Sequence, residues 1–328
     1  MNNKLTKKTW KNLIISILLT ILLLTVLLHY ISWHDVRQLV LRIKGRYIFI
    51  SLIPYFLCYI FRTLRFKSLL LDKTITFTRL FQVHTVHNML NKILPASLGE
   101  VSYLYLLKKN ANIRILESTS SLLLARFIDF SVLTGFFLIS CFALKNRVFE
   151  KLQFIPYATL AGFFMLIGGY VVLLRWGNRD WKISKASGTL SKLINKIKYM
   201  LQELGKTMHI LSKGGRFVQG VVFSILAMNS IYLFYFFIMR GLGIRISYME
   251  IIFVSSILVP LMLLPVKGLA GFGTHEVGWA IGFLILGYDK EISILTGFAI
   301  HIVSLFFVVS MGVQGLIALR FLRNKQQQ

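Results

Sequence analysis

The sequence predicts an all-α, polytopic membrane protein with about six full spans, two re-entrant helical hairpins and an inverted repeat. Three observations predict this class. Hydrophobic residues make up 56% of the 328-residue chain and charged residues only 15%, against about 25% charged residues in average soluble proteins. Several apolar runs reach the roughly 17–25 residues that a membrane crossing needs. Basic residues concentrate between these runs, as they do in cytoplasmic loops.

Six apolar runs are candidates for full spans. The first follows a basic N-terminus, but it is long enough to span and no small-residue cleavage site follows it. We therefore interpret it as an uncleaved helix and not as a signal peptide. The six candidates are 12–31, 47–61, 118–144, 154–174, 217–239 and 292–319.

Two further regions, 77–107 and 251–288, carry prolines and glycines that predict broken helices. Loop charges set their orientation. The segment 175–216 has ten Lys or Arg against two acidic residues, so it is predicted to be cytoplasmic. It forms either an amphipathic helix on the membrane surface or a solvated basic loop.

Counting crossings from both basic ends places residues 62–79 and both ends of the first broken region inside. Both ends of the second broken region then lie outside, and both termini are cytoplasmic. Each broken region is therefore predicted to be a re-entrant hairpin, and the two enter from opposite faces. The segment 32–46 opposes this topology, because it carries four basic residues on the supposed outer side.

The order of spans and hairpins recurs with inverted topology within a single membrane domain, 1–328. It predicts repeats at 12–144 and 154–320. Transporters with inverted repeats place broken helices and the substrate site near the midplane. The residues predicted to act as hinges or breaks are Pro95, Gly99, Pro265, Gly271 and Gly273.

Six charged side chains fall at membrane depth in this topology. Each costs at least ~2.5 kcal/mol at a helix centre and is therefore a functional candidate. The structural alternative is that Arg126 and Asp129, three apart on one helix, pair with each other, and that Glu100 and Glu276 cap returning half-helices. These two glutamates recur at matching places in the two hairpins, which favours function. The six are Lys92, Glu100, Arg126, Asp129, Lys267 and Glu276.

A polar stripe marks one helical face of the first hairpin, at His84, His87, Asn88 and Asn91. It is predicted to face protein or water. The two histidines have no nearby carboxylate in sequence, so no metal site is predicted, and no cofactor.

Motifs for bond-making chemistry are also missing from the sequence. His275 begins a pattern like that of zinc proteases, but Trp279 replaces the second histidine. Ser97 lacks the surroundings of a nucleophile elbow. We therefore predict no catalytic residue. The net charge of +26 is interpreted as basic loops lying against anionic lipid, and not as nucleic-acid binding.

Three segments carry a resemblance to a known family: NKILPASLGE (91–100), ARFIDF (125–130) and LPVKGLAGFGTHE (264–276). In order and spacing they resemble the motif regions of the lysylphosphatidylglycerol synthase transmembrane-region family, also called the flippase-like domain. The resemblance covers nearly the whole chain. It implies a multi-pass protein of the bacterial cytoplasmic membrane that moves an aminoacylated phospholipid between leaflets.

The resemblance also limits the expected activity. In the family's best-known members a separate cytoplasmic domain makes the lipid, so synthase activity is not expected for this chain. The chain departs from the family's usual pattern at Ala125, at residues 101–103 and at His275. These departures leave the identity of the lipid open.

The predicted function is translocation of a lipid with a charged head group. Basic side chains would attract its phosphate; acidic ones would hold those cations in the empty site, or bind a cationic head group or a coupling proton. The alternative is a non-catalytic membrane subunit of a lipid-modifying or cell-envelope glycan enzyme, docking through 175–216. Predicted substrate-binding residues are Asn88, Asn91, Lys92, Glu100, Arg126, Asp129, Lys267, His275 and Glu276.

Overall fold

Every regular element is a helix in the part of the chain that the computed structural model describes, which is residues 2–71, 74–94, 98–149, 154–177, 189–213, 215–262 and 268–324. The helices are α1 (Asn2–Leu28), α2 (Trp33–Leu41), α3 (Gly45–Ser68), α4 (Phe77–Ile93), α5 (Leu98–Ala111), α6 (Ile115–Ala143), α7 (Lys145–Val148), α8 (Ile155–Gly177), α9 (Thr189–Ser212), α10 (Gly215–Gly241), α11 (Tyr248–Met262), α12 (Thr274–Ile285) and α13 (Lys290–Asn324).

Four of these helices, α3, α6, α10 and α13, are long and apolar enough to cross a membrane. The pair α1 and α2 is a fifth candidate, bent by 82° at its break. Ser32 begins α2, because its hydroxyl accepts a hydrogen bond from the backbone N–H of Asp35. The protein is therefore a multi-pass membrane protein with four or five candidate spans, and the count of six stays a prediction.

The long helices pack in an interleaved arrangement. Helices α3 and α10 run antiparallel, since the N–H of Lys44 donates to the carbonyl of Gly241 while Leu69 lies against Gly220. Helix α4 packs on α13, and α11 packs on α6. At Gly315 a Cβ atom would lie 3.1 Å from the carbonyl oxygen of Gln82. Glycine there lets the backbones of α13 and α4 approach closely.

Both predicted broken regions are pairs of packed helices whose ends meet. Helix α4 begins after Thr76, whose hydroxyl caps it, and Ala111 at the end of α5 lies beside this start. In the second pair, the hydroxyl of Tyr288 after α12 donates to the carbonyl of Arg245 before α11, at 3.2 Å. We call these pairs the first hairpin (α4 and α5) and the second hairpin (α11 and α12).

The open ends of the two hairpins lie at opposite ends of α6. Near the start of α6, Glu117 accepts a hydrogen bond from the N–H of Leu71, in the segment that leads into α4. Just beyond the end of α6, Arg147 forms a 2.6 Å ion pair with Glu250 in the first turn of α11. The chain thus presents its two hairpins in opposite directions.

Two sequence expectations need correction or completion. Helix α3 runs to Ser68, beyond the predicted end of its span, so Arg62 and Arg65 lie on this helix and not in the segment that follows it. The error arose because two arginines ended the apolar run. Within 175–216, α9 is an amphipathic helix with Met208 and Leu211 buried, which excludes the solvated-loop alternative for this part. Pro95, Pro265 and Lys267 lie outside the described residues.

Candidate functional site

A polar cavity lies between the two hairpins and the helices around them. It has three adjoining lobes of about 210, 170 and 90 Å³, and Arg62 lines all three. The largest lobe joins Asn88, Asn91 and Lys92 of the first hairpin to His275 of the second. The structure therefore brings predicted site residues from both hairpins to one cavity.

An ion pair between Arg65 and Asp129 forms part of the wall of the two smaller lobes. Arg65 also donates to the hydroxyl of Ser224 at 3.3 Å, and that hydroxyl donates to Asp129 at 3.2 Å. Only 4% of Arg65 is exposed. The predicted pairing of Asp129 with Arg126 is therefore wrong, because α3 supplies a closer partner than the neighbouring turn of α6.

Arg126 pairs instead with Glu100, at 2.9 Å between Nη2 and Oε1. This contact ties the second limb of the first hairpin to α6. Both side chains are partly exposed, Arg126 by 28% and Glu100 by 40%. The pair is therefore open to water or to a ligand in a way that the Arg65 pair is not.

Arg62 is a charged residue that sequence reasoning missed, and it lines every lobe of the cavity. Among the described residues it has no carboxylate within 4 Å. Together with Arg65 and Arg126 it contributes three guanidinium cations, against the carboxylates of Asp129 and Glu100 among the described residues. The cavity therefore carries an excess of positive charge and suits an anionic group. The sequence signal was two arginines three apart at the end of an apolar run.

The predicted polar stripe does line the cavity, but its histidines are held by protein. His84 accepts from the amide of Asn88 at 2.9 Å, and His87 contacts the hydroxyl of Ser102 at 3.1 Å. Both histidines are buried. Asn88 and Asn91 line the same lobe of the cavity. The stripe thus joins the two limbs of the first hairpin.

Gly99 is the second residue of α5, so its predicted role at the break stays a prediction. It also allows close packing. A Cβ atom there would lie 2.6 Å from Oδ1 of Asn91, so only glycine lets the two limbs meet. In the second hairpin, Gly271 and Gly273 do lie at the break, and both have left-handed backbone angles (φ of 84° and 77°) that favour glycine.

Glu276 lies in a sealed cluster behind the cavity. Its Oε2 accepts from the N–H of Gly273 at 2.7 Å, so it caps α12 as predicted. Its Oε1 lies 2.6 Å from Nδ1 of His301, and neither side chain is exposed. His301 was not a predicted site residue, because it is a lone histidine in an apolar helix. A substrate role for Glu276 stays a prediction.

His275 separates this cluster from the cavity. Its ring stacks on that of His301 with 4.3 Å between centroids, and its face lines the largest lobe. Neither ring nitrogen has a hydrogen-bond partner among the described residues, although only 1% of the side chain is exposed. A buried, unsatisfied donor and acceptor pair costs stability unless a ligand or water completes it.

A metal ion fits the cluster poorly. His275, Glu276 and His301 do place one ligand atom each within 4.8 Å of one another. However, two ligands of a tetrahedral zinc ion lie ~3.3 Å apart when each is about 2.0–2.2 Å from the metal. The 2.6 Å separation of Glu276 and His301 is that of a hydrogen bond, and the histidine rings are nearly parallel instead of converging.

Comparison with known proteins identifies the family. The sequence model described as the lysylphosphatidylglycerol synthase TM region matches residues 13–312 of the chain. No curated protein and no solved structure matches it. The resemblance noted in the three sequence segments is thereby confirmed.

Proposed function

This chain belongs to the lysylphosphatidylglycerol synthase transmembrane-region family, and on that premise we propose that it translocates a phospholipid with a charged head group across the membrane. The family is membrane-associated and lipid-related. Translocation, and the choice of an anionic phosphate as the recognised group, are the steps that we add.

The observation that carries the proposal is the excess of cations in the cavity. Arg62 has no ion-pair partner among the described residues, and Lys92 shares the largest lobe with it. A phosphate placed there would accept charge-assisted hydrogen bonds from arginine, which are about twice as strong as neutral ones. A cationic amino-acid head group on the same lipid would meet Glu100, whose carboxylate is partly exposed.

The largest lobe also has an apolar wall. The apolar residues that line it are Ile231, Leu258, Val259, Met262 and Val308. A lobe lined by both basic and apolar side chains suits an amphiphile better than a free ion. The tails of such a lipid would stay in the bilayer while its head group occupies the cavity.

The packing of the helices supports an alternating-access mechanism. Helix α3, the first hairpin and α6 have counterparts in α10, the second hairpin and α13. Contacts match under this exchange: α4 packs on α13 as α11 packs on α6, and α5 packs on α6 as α12 packs on α13. An inverted repeat of this kind would let one half rock against the other around a central site.

The test is lipid movement by purified protein in proteoliposomes. We expect Glu100→Gln, Arg126→Ala and Glu276→Gln each to lose translocation of a fluorescent anionic phospholipid while retaining the fold by circular dichroism. Arg79→Ala, at the open end of the first hairpin and outside the cavity, is the matched control. Normal translocation by a variant that carries all three substitutions would contradict the proposed substrate site. A wild-type protein that moves no lipid alone would favour the accessory-subunit alternative.

Labelling of single cysteines tests the proposed membrane orientation. Asn112→Cys, after the first hairpin, should react with an impermeant reagent only from the cytoplasmic side, and Asp289→Cys, after the second, only from the outer side. The native Cys58 and Cys141 are buried and can be replaced first. Labelling of both positions from one side would contradict opposed re-entrant hairpins.

A further inference from the structure

We propose that Glu276 and His301 together form a proton-binding site that holds or releases the break between α11 and α12. The site would supply the coupling ion for the proposed translocation, and only that coupling rests on the proposed function. The proton site itself follows from the hydrogen bonds of this cluster, whatever the protein transports.

The hydrogen bonds of His301 fix how many protons the pair holds. Its Nε2 lies 3.1 Å from the carbonyl oxygen of Ala270, which can only accept, so Nε2 carries a hydrogen. In a neutral ring the other nitrogen, Nδ1, then has a lone pair. That lone pair lies 2.6 Å from Oε1 of Glu276. A contact this short between two acceptors needs a proton between them.

The pair therefore holds one proton more than a carboxylate and a neutral imidazole would. The proton belongs either to a neutral carboxylic acid or to an imidazolium beside a carboxylate, and both forms have zero net charge. Loss of the proton leaves a negative charge where neither side chain is exposed. It also leaves one ring hydrogen to serve two acceptors, so either the Glu276 bond or the Ala270 bond breaks.

Each member of the pair also holds the backbone of the break by a bond of its own. Glu276 accepts from the N–H of Gly273, and His301 donates to the carbonyl of Ala270. Ala270 has a φ of 52°, in the left-handed region that an alanine rarely adopts. Gly271 and Gly273 also have positive, left-handed φ angles. A strained turn persists only while its surroundings hold it, so deprotonation of the pair should loosen residues 268–273.

Within the described ranges, few other groups that can carry charge surround the pair. His275, on the same helix as Glu276, stacks on His301, and Lys92 of α4 lines the same lobe as His275. Tyr235 of α10 packs edge-on against Trp279, one turn after His275, at 5.6 Å. Among the described residues, α1 contributes Thr20, whose hydroxyl accepts from the N–H of Leu269 at 2.6 Å.

These surroundings link the proton to the cavity. Lys92 and His275 both line the largest lobe. The pair of Glu276 and His301 lies behind His275, whose ring stacks on that of His301. An anion bound in that lobe and a proton on the pair attract each other, so each should strengthen the binding of the other. Such reciprocal coupling is the thermodynamic requirement for proton-linked transport.

Hydrogen–deuterium exchange of the purified full-length protein in lipid nanodiscs tests the inference without any transported substrate. Between mildly acidic and mildly alkaline pH, after correction for intrinsic exchange, we expect protection of the amides of 268–273 to fall at least about tenfold, as when a buried hydrogen bond is lost. Glu276→Gln should abolish this pH dependence, because the glutamine amide donates to Nδ1 and its carbonyl still accepts from Gly273.

Glu250→Gln is the matched control. Glu250 also caps its helix, accepting from the N–H of Ser247 at 2.6 Å, but its other partners are Arg147 and the hydroxyl of Tyr288, and not a histidine. It should keep the wild-type profile at 268–273. A flat wild-type profile overturns the proton site without any variant, and so does a Glu276→Gln protein that keeps the wild-type profile.

The exchange measurement and the translocation assay fail separately. A pH-dependent turn in a protein that moves no lipid leaves the proton site standing and refutes the proposed function. A flat profile in a protein that moves lipid does the reverse.

Discussion

The two hairpins carry a glutamate at the same place but expose it very differently. Glu100 and Glu276 both lie in the first turn of the second limb. The side chain of Glu100 is 40% exposed and pairs with Arg126, whereas that of Glu276 is fully buried and contacts His301. The first hairpin therefore leaves its charge partly exposed, beside the cavity-lining Arg126, and the second buries its charge.

The difference lies in the partner that the following helix supplies. Arg126 on α6 follows Glu100 by 26 residues, and His301 on α13 follows Glu276 by 25. The partners thus occupy equivalent places relative to the two hairpins. Arginine keeps its proton at every physiological pH, while histidine can release one. One half holds a fixed ion pair, and the other a pair that can change charge.

The largest effect on stability is expected from a change at Arg65, whose ion pair with Asp129 forms part of the cavity wall. Arg65→Ala would leave Asp129, whose side chain is only 20% exposed, without its partner, at a cost of up to about 3–5 kcal/mol in the free energy of unfolding. Denaturant unfolding in detergent measures this. The double variant Arg65→Ala, Asp129→Ala removes both charges and should recover much of the loss. A single variant as stable as the wild type would show that the pair does not hold α3 to α6.

A smaller effect is expected from Glu276→Ala. It removes the cap of α12 and leaves the N–H of Gly273 and Nδ1 of His301 buried without their partner, which costs about 1–3 kcal/mol. The same unfolding experiment measures it, and Glu276→Gln, which preserves both bonds, should be close to wild type. Equal losses in the two variants would show that charge, and not hydrogen bonding, holds the second hairpin.

The smallest effect is expected from Glu100→Ala, the counterpart in the first hairpin. Because the Glu100 and Arg126 side chains are partly exposed, their ion pair should contribute about 0–1 kcal/mol to stability. Translocation, however, should fall as it does for Glu100→Gln. A stability loss as large as that of Glu276→Ala would remove the distinction between the two hairpins.

The breaks were predictable from the sequence because proline and glycine act locally. Both broken regions proved to be pairs of packed helices, and in the second pair Gly271 and Gly273 lie at the break. Long-range pairing was not predictable. Arg65 and Asp129 are 64 residues apart, so hydropathy could only count Arg65 as the end of a span. Likewise, the i, i+3 spacing of Arg126 and Asp129 suggested a local pair that tertiary contacts overrule.

His301 shows the same limit in the second half. A lone histidine in an apolar helix gives no sign of a partner 25 residues earlier. Only the internal correspondence between the halves, with Arg126 in the equivalent position, could have drawn attention to it. That correspondence was too weak in sequence to align α6 with α13 residue by residue.

Photo-crosslinking of a lipid head group tests the central claim most directly. An anionic phospholipid with a photoreactive head group should cross-link to the lining around Arg62, at Tyr59 and Asn88, when incubated with the wild-type protein in nanodiscs. Cross-linking there should fall at least about tenfold in Arg62→Ala, which loses a charge-assisted contact, and persist in Arg79→Ala. Equal cross-linking in Arg62→Ala, or cross-links confined to the bilayer-facing surface of α1, would contradict a head-group site between the hairpins.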